Sequence, residues 1–298
     1  MTDVAAFEDY RPLLFSIAYR MLGTASDAED VVQDAWMRYS AAEPADLRSL
    51  KAWLTTVVSR LCLDRLKSAR ATREEYVGPW LPEPMLTSGN DGPDAIVQRH
   101  ESVTLAFLVL LETLSPEERA VFLLKDVFDY SHQEIAGMLD ITVASSSQLL
   151  HRAKKRLAEG RPRFGGDPER KRELAERFMN AFVSHDADAI TGLLADDVAF
   201  FGDGGGKVAA SRRPLFGRDA VSKLLLGLGR SAAAMGLLPQ IRVELLDVNF
   251  EPALIIRVAG RLDSVYSLQI EGDRIGALRV IRNPDKLGFI ERQLARSA

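Results

Sequence analysis

Residues 131–157, SHQEIAGMLDITVASSSQLLHRAKKRL, constrain the fold more than any other stretch, because they read as two short helices, a tight turn and a basic tail. Ser131 followed by Glu134 has the spacing of a capping box, in which each side chain satisfies a free backbone N–H of a helix start. Ile135, Ala136 and Leu139 give the first helix its buried stripe, and Asp140 stands where the turn needs a left-handed residue. The second helix is expected from about residue 143, with Leu149, Leu150, Ala153 and Leu157 inward. That phasing leaves Ser145, Ser147, Gln148, His151, Arg152 and Lys155 pointing outward. Short hydroxyl and amide groups at a helix start can approach base edges, while Arg152, Lys154, Lys155 and Arg156 can meet phosphates. A helical hairpin with a solvated basic end is the simpler alternative.

At 298 residues the chain is long enough for two or three cores, and 47% hydrophobic with 27% charged residues describes a globular protein. The formal net charge of -4 argues against a uniformly basic coat, but a groove senses local charge, so it does not exclude nucleic acid. A single cysteine, Cys62, excludes an intramolecular disulfide, and His100, His132, His151 and His185 lack ligand spacing, so neither a metal nor a cofactor is expected. The start MTDVAAFEDYRPLL lacks a signal peptide's pattern, and no run approaches the ~18 apolar residues of a membrane span. A cytoplasmic protein without membrane contact is expected.

Three blocks follow along the chain. Residues 3–73 carry apolar positions at helical spacing. Residues 76–94 break that pattern with WLPEP and SGNDGP and read as a linker, although Trp80 and Leu81 are too apolar for a merely flexible one. A second helical block begins at 95 and contains Ser115-Pro116-Glu117-Glu118, another capping box with proline at the first helical position. Beyond RPRFGGDP, a helix over about 169–184 precedes IRVELLDV, ALIIRVAG, VYSLQI and IGALRVI, which read as strands of an α+β block.

Within the first block, a capping box at 26–29 is expected to open a helix over 27–39, with Ala28, Val31, Ala35 and Tyr39 on one face and Asp27, Asp30 and Asp34 on another. The acidic face suits the helix dipole in any case. In KAWLTTVVSRLCLDRLKSARATR, bases line the side opposite Trp53, Leu54, Val57, Val58 and Leu61, a pattern suited to stacking and phosphate contact with single-stranded or distorted DNA. A core position is the plainer role for Trp53.

DAEDVVQD, KAWLTTVVSRLCLDRL, LSPEERAVFLL and SHQEIAGMLD…HRAKKRL, in this order, resemble the extracytoplasmic-function sigma factors of bacterial RNA polymerase over roughly residues 5–163. The resemblance implies two all-α sigma domains, an N-terminal helical bundle at 1–75 and a helix-turn-helix domain at 95–164, joined by the linker 76–94. It implies contacts with core RNA polymerase through Asp30, Gln33 and Asp34, and with the promoter minus-ten element through Arg48, Lys51, Arg60, Arg65 and Lys67. The minus-thirty-five element would be read by Ser145, Ser147, Gln148, His151, Arg152 and Lys155. Ser147 and Leu149 stand where relatives often carry basic residues, and Asp140 where glycine is common, which implies fewer phosphate contacts.

The third block, 168–298, resembles the SnoaL-like fold, a cone-shaped curved sheet packed by helices and shared by polyketide cyclases and ketosteroid isomerase relatives. Sigma factors with such a domain carry motifs near WLPEP, DGGGK and NPDKL, matched here at Trp80, Asp203 and Asn283. The glycines of DGGGK suggest a phosphate cradle, but no Ser/Thr and no helix follow Lys207, so a hairpin turn describes it better. Asp203 and Lys207 could face the cone's mouth, where an apolar pocket would raise a carboxylate's pKa, as it does for a buried acid of ketosteroid isomerase. No second residue has an assignable acid or oxyanion role; the facing of Asp247, Asp263 and Tyr266 stays open. Proline at 284 ends the sheet, leaving a turn and a short terminal helix. The sharper expectation is one regulatory interface of Trp80, Pro82, Asp203, Lys207, Asn283, Asp285 and Lys286 that fixes the two sigma blocks relative to each other and packs Trp80.

The sequence thus points to an alternative sigma factor that binds core polymerase and promoter DNA, is regulated in cis by its third block without a separate anti-sigma factor, and catalyses nothing itself. A small-molecule ligand of the third block is left open. A stand-alone helix-turn-helix repressor and a cyclase or isomerase with a DNA-binding appendage are the alternatives.

Overall fold

A computed structural model describes residues 4–42, 49–87, 103–160 and 167–297. The chain divides into two compact units, one made of Met1–Glu75 and Gly89–Pro162, the other of Tyr76–Ser88 and Arg163–Ala298. The expected linker is therefore not a separate spacer: residues 76–87 belong to the second unit, while 88–94 lie outside the described residues.

In the first unit, α1 (Val4–Leu22), α2 (Ala25–Ala42) and α3 (Leu50–Glu74) form a bundle. Phe7 of α1 packs its ring against Trp36 and Tyr39 of α2, at centroid distances of 5.0 and 6.0 Å, and Tyr39 reaches Trp53 of α3 at 6.2 Å. Helix α2 starts ahead of the expected residue 27. The Ala28 N–H already donates to the Thr24 carbonyl at 3.2 Å, and the Thr24 hydroxyl donates to Asp27 Oδ2 at 2.5 Å where Ser26 was expected to cap. Cys62 is buried, and burial pushes its thiol above the ordinary range, which suits a small core residue.

Helices α4 (Leu105–Leu111), α5 (Pro116–Phe122), α6 (His132–Leu139) and α7 (Val143–Gly160) complete this unit, α5 running into a π-helical turn over Leu123–Val127. Both expected capping boxes form: Ser115 with Glu118, and Ser131 with Glu134. Asp140 ends α6 at φ 55°, ψ 50°, the left-handed conformation the tight turn demands. Val121, Leu124, Ile135 and Met138 form the small core beneath the two helices of the motif.

The second unit is built on one six-stranded sheet in the order β2-β1-β6-β5-β4-β3. Its strands are β1 (Leu194–Asp203), β2 (Leu215–Phe216), β3 (Ile241–Val248), β4 (Glu251–Val258), β5 (Arg261–Glu271) and β6 (Arg274–Ile281). Only β1 and β6 pair in parallel, and register shifts in β1–β6, β4–β5 and β5–β6 mark bulges of the kind that curve a sheet. Helices α8 (Pro168–Ser184), α9 (Ala187–Leu193) and α10 (Arg218–Ala234) cover one face, burying Phe178, Leu225, Leu254, Ile256, Tyr266 and Leu268 in a common core. The alternate residues, such as Ala253, Ile255 and Val265, are equally buried, and α11 (Pro284–Ser297) packs on β5. With both faces covered, β4 reads as the unbroken apolar run ALII rather than an alternation. The terminal helix is a full 14 residues, and Pro284, which stops the ladder, stands at its first position, where its fixed φ is preorganised for a helix. Helix α10 has no counterpart in the sequence reading; Gly227 and Gly229 dilute its pattern.

Candidate functional site

Helix α2 presents Asp30 and Gln33 exposed and Asp34 half-buried, on the face opposite Val31, Val32 and Ala35. Arg65, expected in the minus-ten group, is paired with the acidic helix. Its guanidinium lies 3.5 Å from Asp27, 3.7 Å from Asp30 and 3.1 Å from Asp34, so it partly neutralises the acidic face of α2. Arg60 Nε donates to the carbonyl of Met138 at 2.7 Å and Nη2 to that of Gly137 at 3.3 Å, satisfying acceptors that the end of α6 leaves open. Lys67 pairs with Glu117 at 3.1 Å, and Thr55 exchanges a 3.0 Å hydrogen bond with Tyr130. Arg119, 3% exposed, donates to the carbonyls of Leu111 and Met21 and pairs with Glu112. Arg60 and Lys67 of α3 are thus engaged by the helix-turn-helix half of the same unit, and Arg65 by α2. Lys51 is exposed, and Arg48 lies outside the described residues.

On α7, Ser147, Gln148, His151 and Lys155 are exposed, and Ser145 is half-buried with its backbone N–H on Thr142 Oγ1 at 3.0 Å. Ser146 turns inward to His132 Nδ1 at 2.9 Å. The basic tail folds back: Arg152 and Arg156 reach the buried Glu118 at 3.4 and 2.6 Å, and Lys154 reaches Asp126 at 2.9 Å. Lys155 makes no ion pair among the described residues.

The second unit brings WLPEP, DGGGK and NPDKL together. Asp203 is fully buried, and its carboxylate accepts four donors: Tyr76 O–H at 2.5 Å and Gly205 N–H at 3.1 Å on Oδ1, Leu81 N–H at 2.9 Å and Lys286 Nζ at 2.6 Å on Oδ2. Lys286 also donates to the Leu81 carbonyl at 2.6 Å, and its ammonium sits 4.2 Å from the Trp80 ring centroid and 4.7 Å from that of Tyr76. Burial, with the Asp203 carboxylate beside it, holds the Tyr76 phenol above its ordinary pKa. Asn283 Nδ2 donates to Tyr76 Oη at 2.8 Å, and Lys207 pairs with Asp285 at 2.5 Å. Pro82 is buried.

Asp203 therefore does not face a cone mouth. All its lone pairs are engaged, which leaves no site for a substrate proton. Gly205, at φ 60°, has no room for a Cβ, which would overlap the Asn283 carboxamide, so the glycines serve close packing and not a phosphate. Lys207 is exposed, and the turn runs on to β2 instead of closing a two-residue hairpin. Tyr266 lies in the apolar core 5.7 Å from Phe182, and burial pushes its phenol up to about 12. Asp263 pairs with Arg282 at 2.8 Å and Asp247 with Arg172 at 3.4 Å. No cluster of His, Cys, Asp or Glu able to hold a metal occurs among the described residues, and no described helix is long and apolar enough to cross a membrane.

The sequence reading missed Asn249 and Gln293. Asn249 Oδ1 accepts the Met85 N–H at 3.1 Å while its own N–H donates to the Met85 carbonyl at 2.9 Å. Gln293 does the same for Leu86, at 2.8 and 3.3 Å. A polar residue between two apolar strands reads as any hairpin turn, and one glutamine on a helix carries no signal of a distant partner.

Residues 6–72 match the family model for sigma-70 region 2, and residues 104–157 that for sigma-70 region 4. The extracytoplasmic-function RNA polymerase sigma factor SigJ of Mycobacterium tuberculosis is 37% identical, with 95% of this chain and 93% of that protein covered. This chain is an extracytoplasmic-function sigma factor. The crystal structure of SigJ superposes with a TM-score of 0.78 at 35% identity, covering 96% of this chain and 99% of the other, so the third block shares in the likeness. A second relative, the probable sigma factor SigI of the same organism, is 31% identical over 97% of this chain and 96% of its own. As an alternative sigma factor, the protein binds core RNA polymerase and promoter DNA to initiate transcription. The repressor and enzyme readings are not favoured, since neither accounts for a region 2 match.

Proposed function

We propose that the second unit regulates this sigma factor in cis through residues 76–87, part of the chain that connects region 2 to region 4. The observation that carries this reading is the buried Asp203–Lys286 pair, which closes on both backbone groups of Leu81. A sigma factor must present both reading elements to one promoter, so holding the connecting chain restricts what they can reach. Core polymerase would dock on Asp30, Gln33 and Asp34. Lys51, Arg60 and Lys67 would serve the minus-ten element, which requires Arg60 to leave α6. Ser145, Ser147, Gln148, His151, Arg152 and Lys155 would face the minus-thirty-five element. The protein would work in the cytoplasm, need no separate anti-sigma factor and catalyse nothing. A small-molecule signal, if used, would enter the groove of about 530 Å³ between α8 and β3, floored by Met179, Val243 and Leu245 and rimmed by Arg172, Glu176 and Glu244.

Promoter-directed transcription with purified core polymerase tests both levels. Discrete starts sharing two upstream elements are expected, with yields that change when residues 1–166 replace the full chain and when Asp203→Ala is introduced in the full chain. Equal yields from all three proteins would remove the regulatory reading and leave the sigma factor intact.

A further inference from the structure

Leu81, Met85, Leu86 and Thr87 are each gripped by their main chain. Leu81 gives its N–H to Asp203, and its carbonyl accepts from Lys286; Met85 is held by the side-chain Oδ1 and the backbone N–H of Asn249, and Leu86 by the two ends of the Gln293 carboxamide. Thr87 N–H donates to the Asp247 carbonyl at 3.0 Å, next to an isolated bridge between Leu86 and Val248 on the outer strand β3. Seven main-chain hydrogen bonds thus fall on four residues of a segment that has no helix or strand of its own. Two prolines, Pro82 and Pro84, sit between the gripped residues, where a missing N–H costs nothing and a fixed φ lowers the entropy lost on ordering. Side chains are buried along most of the segment as well: Leu81 and Glu83 are each 1% exposed and Met85 and Thr87 each 5%, and Pro82 and Pro84 are also buried.

The receiving groups come from four separate parts of the second unit: the end of β1, the β3–β4 turn, the edge of β3, and α11. The turn is itself strained. Asn249 and Phe250 both take left-handed conformations, at φ 52° and 61°, and Phe250 has no glycine-like tolerance for it. That conformation aims the Asn249 side chain and both turn N–H groups at the segment, the Phe250 N–H donating to Thr87 Oγ1 at 2.8 Å. Backbone strain held at a place where another chain segment is bound is a feature of binding sites.

We infer that this groove is a peptide receptor, and that residues 76–87 are its resident ligand. Its ligand class is an extended, proline-interrupted peptide with apolar side chains at the Leu81 and Met85 positions and a carboxylate at the Glu83 position, gripped also through its main chain. A partner that presents such a segment would exchange with the resident copy. The inference does not depend on the regulatory reading, because binding can be measured without transcription.

The test uses the full chain with Leu81→Ala and Met85→Ala, which loosen the resident copy, and a fluorescent synthetic peptide of residues 76–87 followed by anisotropy. Saturable binding is expected, and binding about tenfold or more weaker to the unsubstituted chain, whose own segment competes at a high effective concentration. N-methylation of the peptide at Leu81 or at Leu86 removes one donor each and should weaken binding about tenfold, whereas N-methylation at Val77 should not. Absence of saturable binding to a folded variant, or indifference to N-methylation at Leu81 and Leu86, would overturn the inference. Should the variant not fold, amide exchange over residues 81–87 of the unsubstituted chain decides. Exchange quickened by excess peptide supports a receptor, and exchange unchanged at millimolar peptide refutes it.

Discussion

Asp203 shows how one residue can look catalytic in a sequence and be structural in the fold. A carboxylate beside glycines and a lysine has the composition of a reactive site, yet here it neutralises a buried ammonium and accepts three further hydrogen bonds. Removing one partner strands the other charge, so Asp203→Ala and Lys286→Met should each cost the second unit about 3–5 kcal/mol. The double substitution should cost clearly less than the sum, as read by chemical denaturation in a double-mutant cycle. Glu251 carries a different signature. Burial raises its pKa above 4.5, and Lys171 at 3.5 Å only partly offsets this. A carboxyl whose folded pKa is raised holds its proton more tightly in the folded state. Its penalty is therefore full above the folded pKa and vanishes as pH falls toward 4.5. Glu251→Gln should remove that acid-side gain, seen as a smaller difference in stability between neutral pH and the low end of the window.

Helix α7 is the element on which expectation and structure differ most instructively. Periodicity correctly separates its inner and outer faces, but it says nothing about carboxylates on other helices. Glu118 comes from α5, is buried as the third residue of its capping box, and draws Arg152 and Arg156 away from the outward row. Glu118→Gln keeps a group able to serve the Ser115 cap while releasing both guanidinium groups. The slope of log affinity against log salt for a duplex bearing the minus-thirty-five element should then steepen by roughly 1–2, since each added phosphate contact releases about one counterion. An unchanged slope would mean that the arginines already reach DNA despite Glu118. On α3, the minus-ten residues show the same effect: Arg60 and Lys67 sit on the expected side, and what occupies them, the carbonyls of α6 and Glu117, comes from far along the chain.

For the whole molecule, the decisive fact is that residues 76–87 fold with the third block although they join the first two in sequence. If initiation requires the connecting chain to leave its groove, core polymerase should quicken amide exchange at Leu81, Met85, Leu86 and Thr87 in the intact protein; exchange left unchanged by polymerase would mean that the groove stays occupied during initiation. The sequence by itself determined the local elements: the helix-turn-helix with its caps and left-handed Asp140, the helical bundle, the strands β3 to β6, and the family. Those follow from periodicity, capping and turn chemistry, which act between residues a few positions apart. Only the tertiary structure decided that Arg65 serves the acidic helix, that Asp203 is a buried counter-ion, and that Asn249 and Gln293 grip the connecting chain. Hydrogen bonds and ion pairs between residues from 31 to 207 positions apart depend on which surfaces the packed cores bring together, and a linear pattern of apolar and polar residues holds no record of that choice.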